Sequence, residues 1–322
     1  MEIKKKSKKV GVLIGGPSTE REISFKSGKA VFEALKGAEV EVVAIDIVTD
    51  DRKHNIELLK QHELDIVFIA LHGKFGEDGG IQDILEEMGL PYTGSGIKAS
   101  ALAMDKIASR RIFEQKGISV PRYRVINKPE WRRGQRLAAV FNFPVVVKPA
   151  SNGSSIGLSI IGNEKDFDQA LRLAFSFDDR IIIEEYLQGR EMTVGIFDDA
   201  ALPVIEIIPK HQFFDYEAKY QSGLTDYKVP AQIDEPTCRK IQNAGLAAHR
   251  ALGCAGFSRI DIILKDDIPF VLEVNTIPGF TSTSLLPKAA KLAGIEFTDL
   301  CLRLLKLAYE KTETKYTHSS AG

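Results

Sequence analysis

Apolar and polar positions along the first hundred residues follow a strand, helix, strand order. The segments KKVGVLIGG, EVEVVAIDI and LDIVFIAL contain apolar runs of strand length, and SFKSGKAVFEALK has the spacing of an amphipathic helix. Strand–helix–strand alternation requires parallel strands joined by crossover helices. The pattern therefore predicts a doubly wound α/β domain over residues 1–100, with ligands at the edge where the first strand turns into the first helix.

Further along the chain, strands alternate with segments of helical periodicity. Helices are predicted over SALAMDKIASRRIFEQKG, EKDFDQALRLAFSF, TCRKIQNAGLAAHRALG and the region near TDLCLRLLKLAYE. Residues 209–230 lie between two prolines, lack clean periodicity and contain five aromatic residues, which disfavour disorder. Because long irregular connections are commonly functional, this segment is interpreted as a lid, with an ordinary packed Ω-loop as the alternative.

Composition and charge narrow the classes of function. The 322 residues include 43 Lys and Arg against 44 Asp and Glu, and a net charge of -1 gives no global field for nucleic acid or an anionic membrane. The lysine-rich start MEIKKKSKKV precedes an apolar run too short for a signal peptide or a bilayer span. Three separated cysteines without a CxxC motif are typical of reduced thiols, so we expect a cytoplasmic enzyme without zinc.

Two loops have features of binding sites for charged groups. In VVVKPASNGSSIG, Lys148 ends an apolar strand before a loop of small residues, which places a cation beside backbone N–H groups as in a phosphate cradle. A flexible surface turn would explain the glycines and serines but not Lys148. In GGPSTEREIS, Glu20 lies near a helix start, where it favours the helix dipole and could receive an ammonium group. Taken alone, Glu20 is better explained as a cap.

Carboxylates surround a tight turn in RIIIEEYLQGREMTVGI. A hinge between two lobes would offer backbone groups to an adenine edge, and Glu191 could bind both ribose hydroxyls. Taken alone, Glu184, Glu185 and Glu191 are better explained as solvated charges beside a turn.

Two apolar strands flank the turn signal KDDIP in FSRIDIILKDDIPFVLEVN. A three-residue loop gives opposite residues an even index sum, which sets Asp261 opposite Glu273 with Arg259 and Asn275 on the same face. Two carboxylates and a carboxamide oxygen suit Mg²⁺. The alternatives are a two-residue turn, which would split the carboxylates between faces, and a surface salt-bridge patch. The opposite, core face would consist of Ile260, Ile262, Leu272 and Val274.

A serine-rich stretch, GFTSTSLLPKAAKLAG, follows the hairpin directly. Gly279 ends the strand, and residues 282–284 lead into a predicted helix whose N-terminal N–H groups suit a carboxylate or an oxyanion. N-capping by serine is the alternative.

Taken together, these segments resemble the ATP-grasp superfamily and, within it, the D-alanine:D-alanine ligases. The resemblance covers essentially the whole chain in family order, through GVLIGGPSTEREIS, ALHGKFGEDGGIQDILEEMGLPYTGSG, SALAMDK, VVVKPASNGSSIG, EEYLQGRE, DYEAKY, RIDIIL and EVNTIPGFTSTSLLPKAA. It implies an α/β pre-ATP-grasp substrate domain over residues 1–100, followed by a two-lobed α+β ATP-grasp fold. The central lobe is expected at residues 101–187 and the C-terminal lobe, which includes the lid, at 188–322.

The resemblance also implies where ATP and its metal ions would bind. Lys106 and Lys148 would bind the α and β phosphates, Glu191 the ribose, and Lys219 in the lid would approach the γ-phosphate. Ser154 would contact the nucleotide as well. The adenine hinge would consist of Glu184, Glu185, Tyr186 and Leu187. Two Mg²⁺ ions, with Mn²⁺ as the alternative metal, would be held by Asp261, Glu273 and Asn275.

The same resemblance assigns the amino-acid substrates. Glu20 would receive the ammonium group of the first D-alanine, with His72 nearby. Arg259 and the Gly279 N–H would form an oxyanion hole. The carboxylate of the second D-alanine would be bound by Ser284 and Leu285. Ser154 and Tyr220 would join Glu20 in a hydrogen-bonded triad that fastens the lid to the first domain.

The implied reaction has two steps and yields D-alanyl-D-alanine for peptidoglycan precursors. One carboxylate attacks the γ-phosphate of ATP to give an acyl phosphate, and the amine of the second amino acid then displaces phosphate. Tyr220 within DYEAKY favours the dipeptide product, and a ligase that takes D-lactate or D-serine as its second substrate is the alternative. The family implies a homodimer, with neither nucleic acid nor membrane as a partner.

Overall fold

The computed structural model describes residues 8–132, 142–153, 155–209 and 225–319, with side chains as far as residue 311. The N-terminal domain contains a parallel sheet of order β2-β1-β3, which confirms the predicted α/β domain. Leu13 and Ile69 are fully buried in its core, as the apolar runs predict. Its elements are β1 (Val10–Gly15), α1 (Arg21–Gly37), β2 (Val42–Ile47), α2 (Arg52–Lys60), β3 (Ile66–Ile69) and α3 (Gly80–Glu87).

The helix predicted over SALAMDKIASRRIFEQKG is interrupted, so the prediction of one continuous helix was wrong. Two helices, α4 (Ile97–Met104) and α5 (Lys106–Gln115), meet at Asp105, whose backbone is extended. The Asp105 carboxylate accepts hydrogen bonds from the N–H groups of Ile107 and Ala108. A side chain that caps a new helix in this way competes with continuation of the previous one. Lys106 is thereby placed at the first position of α5.

A second sheet, of antiparallel order β4-β7-β5-β6, follows. Val147 and Ile183 pack on α7 through one face of this sheet. Because successive strand residues point to opposite faces, the neighbouring Lys148 and Glu184 point away from that core. Its elements are β4 (Tyr123–Asn127), α6 (Lys128–Arg132), β5 (Val145–Pro149), β6 (Ser159–Ile161), a short 3-10 turn (Glu164–Asp166), α7 (Phe167–Phe177) and β7 (Arg180–Glu185).

The third sheet has the order β11-β10-β8-β12-β13, with β9 paired to β8, and every pair is antiparallel. The predicted irregular segment 209–230 contains strand residues on both sides of its undescribed part: Pro209 ends β10, and β11 pairs with β10. Residues 210–224 of the predicted lid lie outside the described residues. The elements are β8 (Arg190–Phe197), β9 (Ala200–Ala201), β10 (Ile205–Pro209), β11 (Thr225–Lys228), α8 (Glu235–Leu252), β12 (Phe257–Lys265) and β13 (Ile268–Asn275).

The end of the chain returns to the first domain. After α9 (Leu285–Leu292), the last helix α10 (Phe297–Ser319) places Leu300 and Leu304 in one apolar core with Val31 of α1. This core joins the first and last segments of the chain. The domain boundaries at residues 100 and 187 stay predictions. No helix of the described residues is long and apolar enough to cross a bilayer.

Candidate active site

Two cavities meet at the β12–β13 hairpin. The first, of about 170 Å³, is bordered by the second and third sheets and reaches Asp261 and Glu273. The second, of about 280 Å³, lies against the N-terminal domain and reaches Arg259 and Asn275. Residues of one polar strand face therefore line both cavities.

Asp261 lies directly opposite Glu273, and Arg259 lies opposite Asn275, as predicted. The predicted three-residue loop, however, is wrong. The turn has two residues, Asp266 and Asp267, both with positive φ, as in the type I′ turns that favour tight hairpins. Beside this turn, the residue numbers of opposite partners add up to an odd value. If this register continued unchanged, Asp261 would lie opposite Leu272.

A β-bulge restores the predicted register before the site. Pairing shifts between Asp261 and Ile262, and Leu272 is the extra residue on the bulged strand. Leu272 therefore does not belong to the core face, and this prediction was wrong: Val271 takes the core position with 0% exposure, while Leu272 lines the first cavity. Ile260, Ile262 and Val274 are buried as predicted.

The polar face is a connected network of charges. Arg259 donates from Nε and Nη2 to the two oxygens of Asp261, at 3.0 and 2.7 Å. The Asn275 amide donates to Asp261 Oδ2 at 3.2 Å. Lys106 Nζ lies 3.4 Å from Glu273 Oε2 and donates to the Asn152 carbonyl oxygen at 2.7 Å. Two cations thus border the two carboxylates.

The chemistry of the donor set fits a hard cation. Asp261, Glu273 and Asn275 offer carboxylate and amide oxygens on one strand face, which are ligands that Mg²⁺ accepts. The described residues contain no cluster of three or more His, Cys, Asp or Glu side chains suited to a metal. Any metal held here would therefore rely on two carboxylates and an amide, with its remaining ligands supplied by other groups.

Lys148 and Glu184 form a buried ion pair in the first cavity. Lys148 Nζ donates to Glu184 Oε1 at 2.6 Å, and Arg110 Nη2 of α5 donates to Glu184 Oε2 at 2.6 Å. Burial favours the neutral acid, but Arg110 and then Lys148 hold the pKa of Glu184 below its ordinary value. Burial also lowers the pKa of Lys148, and Glu184 opposes that effect. Glu184 is therefore not the solvated turn charge that local sequence favours.

The rest of the predicted hinge borders the same cavity. Glu185 accepts hydrogen bonds from the Arg122 backbone and side chain, which lower its pKa against the effect of partial burial. Its own N–H donates to the Arg122 carbonyl oxygen. The structure thus brings Lys106 and Lys148 together with the hinge. The residues predicted to form the adenine hinge and the ribose contact all line the cavity: Glu184, Glu185, Tyr186, Leu187 and Glu191.

Glu20 lies at the start of α1 and lines the second cavity. It occupies the N-cap position, as the capping explanation expects, but its side chain makes no capping hydrogen bond. Gly73, with φ of +75°, lets the chain pass beside this carboxylate: a Cβ there would lie 2.8 Å from Glu20 Oε2. Glu20 is 8% exposed and so lies largely buried at the edge of the second cavity.

His72 is 3% exposed and links three segments of the chain. Its Nδ1 lies 3.0 Å from the Ile277 carbonyl oxygen, which can only accept, so Nδ1 carries a proton. Its Nε2 lies 2.8 Å from Ser27 Oγ, which accepts a hydrogen bond from the Phe280 N–H. Glu77, whose pKa burial raises, lies 3.3 Å from Nδ1. His72 therefore ties α1 to the loop that carries Gly279.

Ser284 sits at the N-cap position of α9 without capping it. Its Oγ instead accepts from the Thr281 N–H at 3.1 Å and lies 2.9 Å from Thr281 Oγ1, so the capping alternative was wrong. A Cβ on Gly279 would lie 3.2 Å from Ser284 Oγ, which places the two side by side. Gly279, Ser284 and Leu285 line the second cavity with Arg259, while the roles predicted for them stay predictions.

Some predicted residues lie outside the described part of the chain, and others were missed. Ser154, Lys219 and Tyr220 belong to the first group. Sequence reasoning missed Arg110, Glu77 and Ser27. Arg110 is indistinguishable in sequence from the other charges of an amphipathic helix, and Glu77 lies in the segment ALHGKFGEDGG, where local sequence assigns it no role. Ser27 could have been singled out from the sequence, because it is a polar residue on the face of α1 that is buried.

Models of one protein family match most of the chain. The family model "D-ala D-ala ligase C-terminus" matches residues 112–306, and "D-ala D-ala ligase N-terminus" matches residues 9–59 and 48–95. The chain belongs to the D-alanine–D-alanine ligase family. It is similar to the D-alanine–D-alanine ligase of Geotalea uraniireducens, with 46% identity over 94% of this chain and 96% of that protein. The ligase of Geobacter sulfurreducens is 45% identical over 93% of this chain and 94% of its own length.

Solved structures of this family have the same fold. The Bacillus anthracis D-alanine–D-alanine ligase complexed with ATP has a TM-score of 0.83 at 34% identity and covers 96% of this chain and 99% of that one. VanG D-Ala:D-Ser ligase from Enterococcus faecalis has a TM-score of 0.81 at 32% identity, over 94% of this chain and 100% of its own. The predicted ATP-grasp fold is confirmed.

Proposed function

We propose that this protein joins two molecules of D-alanine into D-alanyl-D-alanine and converts ATP to ADP and phosphate. The observation that carries the proposal is the shared hairpin face: Asp261 and Glu273 border one cavity, while Arg259 and Asn275 border the next. A reaction in which a phosphate group passes to a bound carboxylate requires a nucleotide site and an acid site that meet in this way. The relatives carrying the D-alanine–D-alanine ligase name support the choice of substrate.

ATP would occupy the first cavity. Lys106 and Lys148 would bind its phosphates, with the hinge Glu184–Leu187 at the adenine and Glu191 at the ribose. Lys219, outside the described residues, would approach the γ-phosphate. Phosphoryl transfer depends on positioning and on electrostatic stabilisation, which fixed cations supply. The described members of this set all line the first cavity, which supports this assignment.

D-Alanine would occupy the second cavity. Glu20 would receive the ammonium group of the first molecule, with His72 fixing the adjacent loop. Arg259 and the Gly279 N–H would stabilise the tetrahedral oxyanion, and Ser284 and Leu285 would bind the second carboxylate. Ser154 and Tyr220 would link the lid to Glu20. All of the described members of this set line one cavity.

Mg²⁺, or Mn²⁺ in its place, would be held by Asp261, Glu273 and Asn275, with two ions as the proposed number. Bound there, the metal would supply charge neutralisation for the polyphosphate. By extension from the family membership, we also propose a role in peptidoglycan precursor synthesis, a cytoplasmic location and a homodimer. The three cysteines are free, in agreement with a reducing compartment.

Isotope transfer tests the proposed chemistry. When D-alanine labelled with ¹⁸O in its carboxylate is supplied with ATP, one labelled oxygen should appear in the released phosphate. The reason is that the carboxylate oxygen that attacks the γ-phosphate leaves with phosphorus when the amine displaces it. Phosphate without label would contradict an acyl phosphate intermediate.

The second candidate is a ligase that uses D-serine or D-lactate as its second substrate. The likeness to VanG D-Ala:D-Ser ligase raises this candidate. The D-alanine ligases of higher identity and the DYEAKY segment favour D-alanine instead. Competition between D-alanine and D-serine in one reaction, with the products separated by mass, decides between the two.

A further inference from the structure

Arg110 is a fully buried cation beside the first cavity. It lies on α5 with 0% exposure, and its Nη2 donates to Glu184 Oε2 at 2.6 Å. Its Nε and Nη1 have no hydrogen-bond partner among the described residues. Leaving buried donors of a charged group unsatisfied is costly, so a purely structural link between α5 and β7 explains this arginine poorly.

Glu184 divides its charge between two cations. Its Oε1 accepts from Lys148 and its Oε2 accepts from Arg110, so each cation has one oxygen. All three side chains are nearly or completely buried. Two cations and one anion give this cluster a net charge of about +1 when all three are ionised. Only Lys148 and Glu184 of the three line the cavity.

Without Arg110, the same carboxylate would face Lys148 alone. The ammonium group of Lys148 would then be fully compensated by Glu184, and the cluster would have no net charge to offer an anion. In a site of low dielectric constant, a charge interacts strongly with a bound group. The net charge of this cluster should therefore change the affinity for a polyphosphate.

We infer that Arg110 is a positioning residue for the nucleotide: by sharing Glu184 with Lys148, it leaves Lys148 with uncompensated positive charge directed at the phosphates. This inference rests on the proposed nucleotide site and adds a residue that does not itself contact the ligand. The surplus charge acts on the phosphates and not on adenosine, which separates this role from a structural one.

The test compares adenosine with ADP. Dissociation constants of both are measured at neutral pH without divalent metal, by competition against a fluorescent ADP analogue, and their ratio isolates the contribution of the phosphates. Replacing Arg110 by Met keeps the bulk and removes the charge, and the ADP preference should fall about tenfold. Arg110→Lys keeps the charge and should stay within about threefold of the wild type.

The double variant R110M/E184Q supplies the sharpest comparison. It removes one positive and one negative charge together, so Lys148 regains its surplus and the ADP preference should return to within about threefold of the wild type. Contacts to adenine cancel in the ratio. If R110M does not fold, the double variant alone decides: a preference near the wild type supports the inference and a tenfold lower one overturns it.

Two results overturn the inference. In one, Arg110→Met weakens adenosine and ADP by the same factor, which is what a structural link between α5 and β7 would produce. In the other, the double variant prefers ADP no more than Arg110→Met does. Wild-type protein that binds ADP but forms no product from D-alanine would contradict the proposed function and leave this inference standing.

Discussion

Asp261 and Glu273 lie directly opposite each other across β12 and β13, although the two-residue turn between the strands would by itself set Asp261 opposite Leu272. The bulge at Leu272 adds the one residue that corrects the register. It also turns Leu272 out of the core and into the first cavity. One irregularity therefore builds both the acidic pair and an apolar part of the adjoining wall.

Adjacent residues of this bulge should respond differently to truncation. Val271→Ala removes core contacts and should lower the free energy of unfolding by about 1–3 kcal/mol, whereas Leu272→Ala should lower it by less than about 1 kcal/mol. Leu272→Ala should instead raise KM for ATP several-fold, because it removes part of the cavity wall. Urea unfolding and steady-state kinetics on both variants check this, and equal stability losses would contradict the bulge.

Loss of one carboxylate should weaken the metal site. Glu273→Gln removes a charged ligand, and Mn²⁺ affinity measured by electron paramagnetic resonance should fall at least about tenfold. Glu296→Gln, at an exposed carboxylate paired with Lys291, is the matched control and should bind Mn²⁺ as the wild type does. Unchanged Mn²⁺ affinity in Glu273→Gln would exclude this strand face as the metal site.

Arg259 should act on the rate more than on binding. Arg259→Ala removes a donor from the proposed oxyanion hole, and kcat should fall by about 10²–10³ with a smaller change in KM. Arg303→Ala, which removes an exposed arginine on α10 with its own acidic partner, should leave kcat unchanged. Wild-type turnover in Arg259→Ala would remove Arg259 from the site.

The sequence predicts some of these features and not others, for physical reasons. Periodicity locates the parallel sheet, and alternation along β13 places Glu273 and Asn275 on one face. The predicted pairing of Asp261 with Glu273 is correct, but it rests on a three-residue loop where the structure has a two-residue turn. The bulge that secures this pairing depends on how the turn and the core are fitted together, and local sequence does not encode it. Glu184 resembles a solvated charge until Arg110, 74 residues earlier, is brought against it. Asp105 likewise interrupts a helix by capping the next one, and the pattern of apolar positions does not reveal this cap.

His249 should make the fold sensitive to acid. Burial lowers the pKa of His249 to about 4, where its Nδ1 lies 2.7 Å from Ser258 Oγ with Asp199 and Arg250 as the nearby charges. The unfolded chain gains a proton near the ordinary value of 6.5 and the folded one only near 4, so stability present above pH 6.5 is lost as pH falls through this window.

The loss attributable to His249 is on the order of 3 kcal/mol between those pH values. Unfolding midpoints in urea at a series of pH values check it. In His249→Asn the dependence over this window should be much flatter, while His54→Asn, at an exposed histidine, should retain the wild-type slope. Identical slopes for His249→Asn and the wild type would contradict a neutral buried imidazole.

Product formation tests the proposed ligation of two D-alanines most directly. Purified protein is incubated with ATP, Mg²⁺ and D-alanine as the only amino acid, and dipeptide and phosphate are measured together by mass spectrometry and a phosphate assay. We expect one D-alanyl-D-alanine for each phosphate released, and no dipeptide when L-alanine replaces D-alanine. Phosphate release without dipeptide, or product only when D-serine or D-lactate is added, would contradict it.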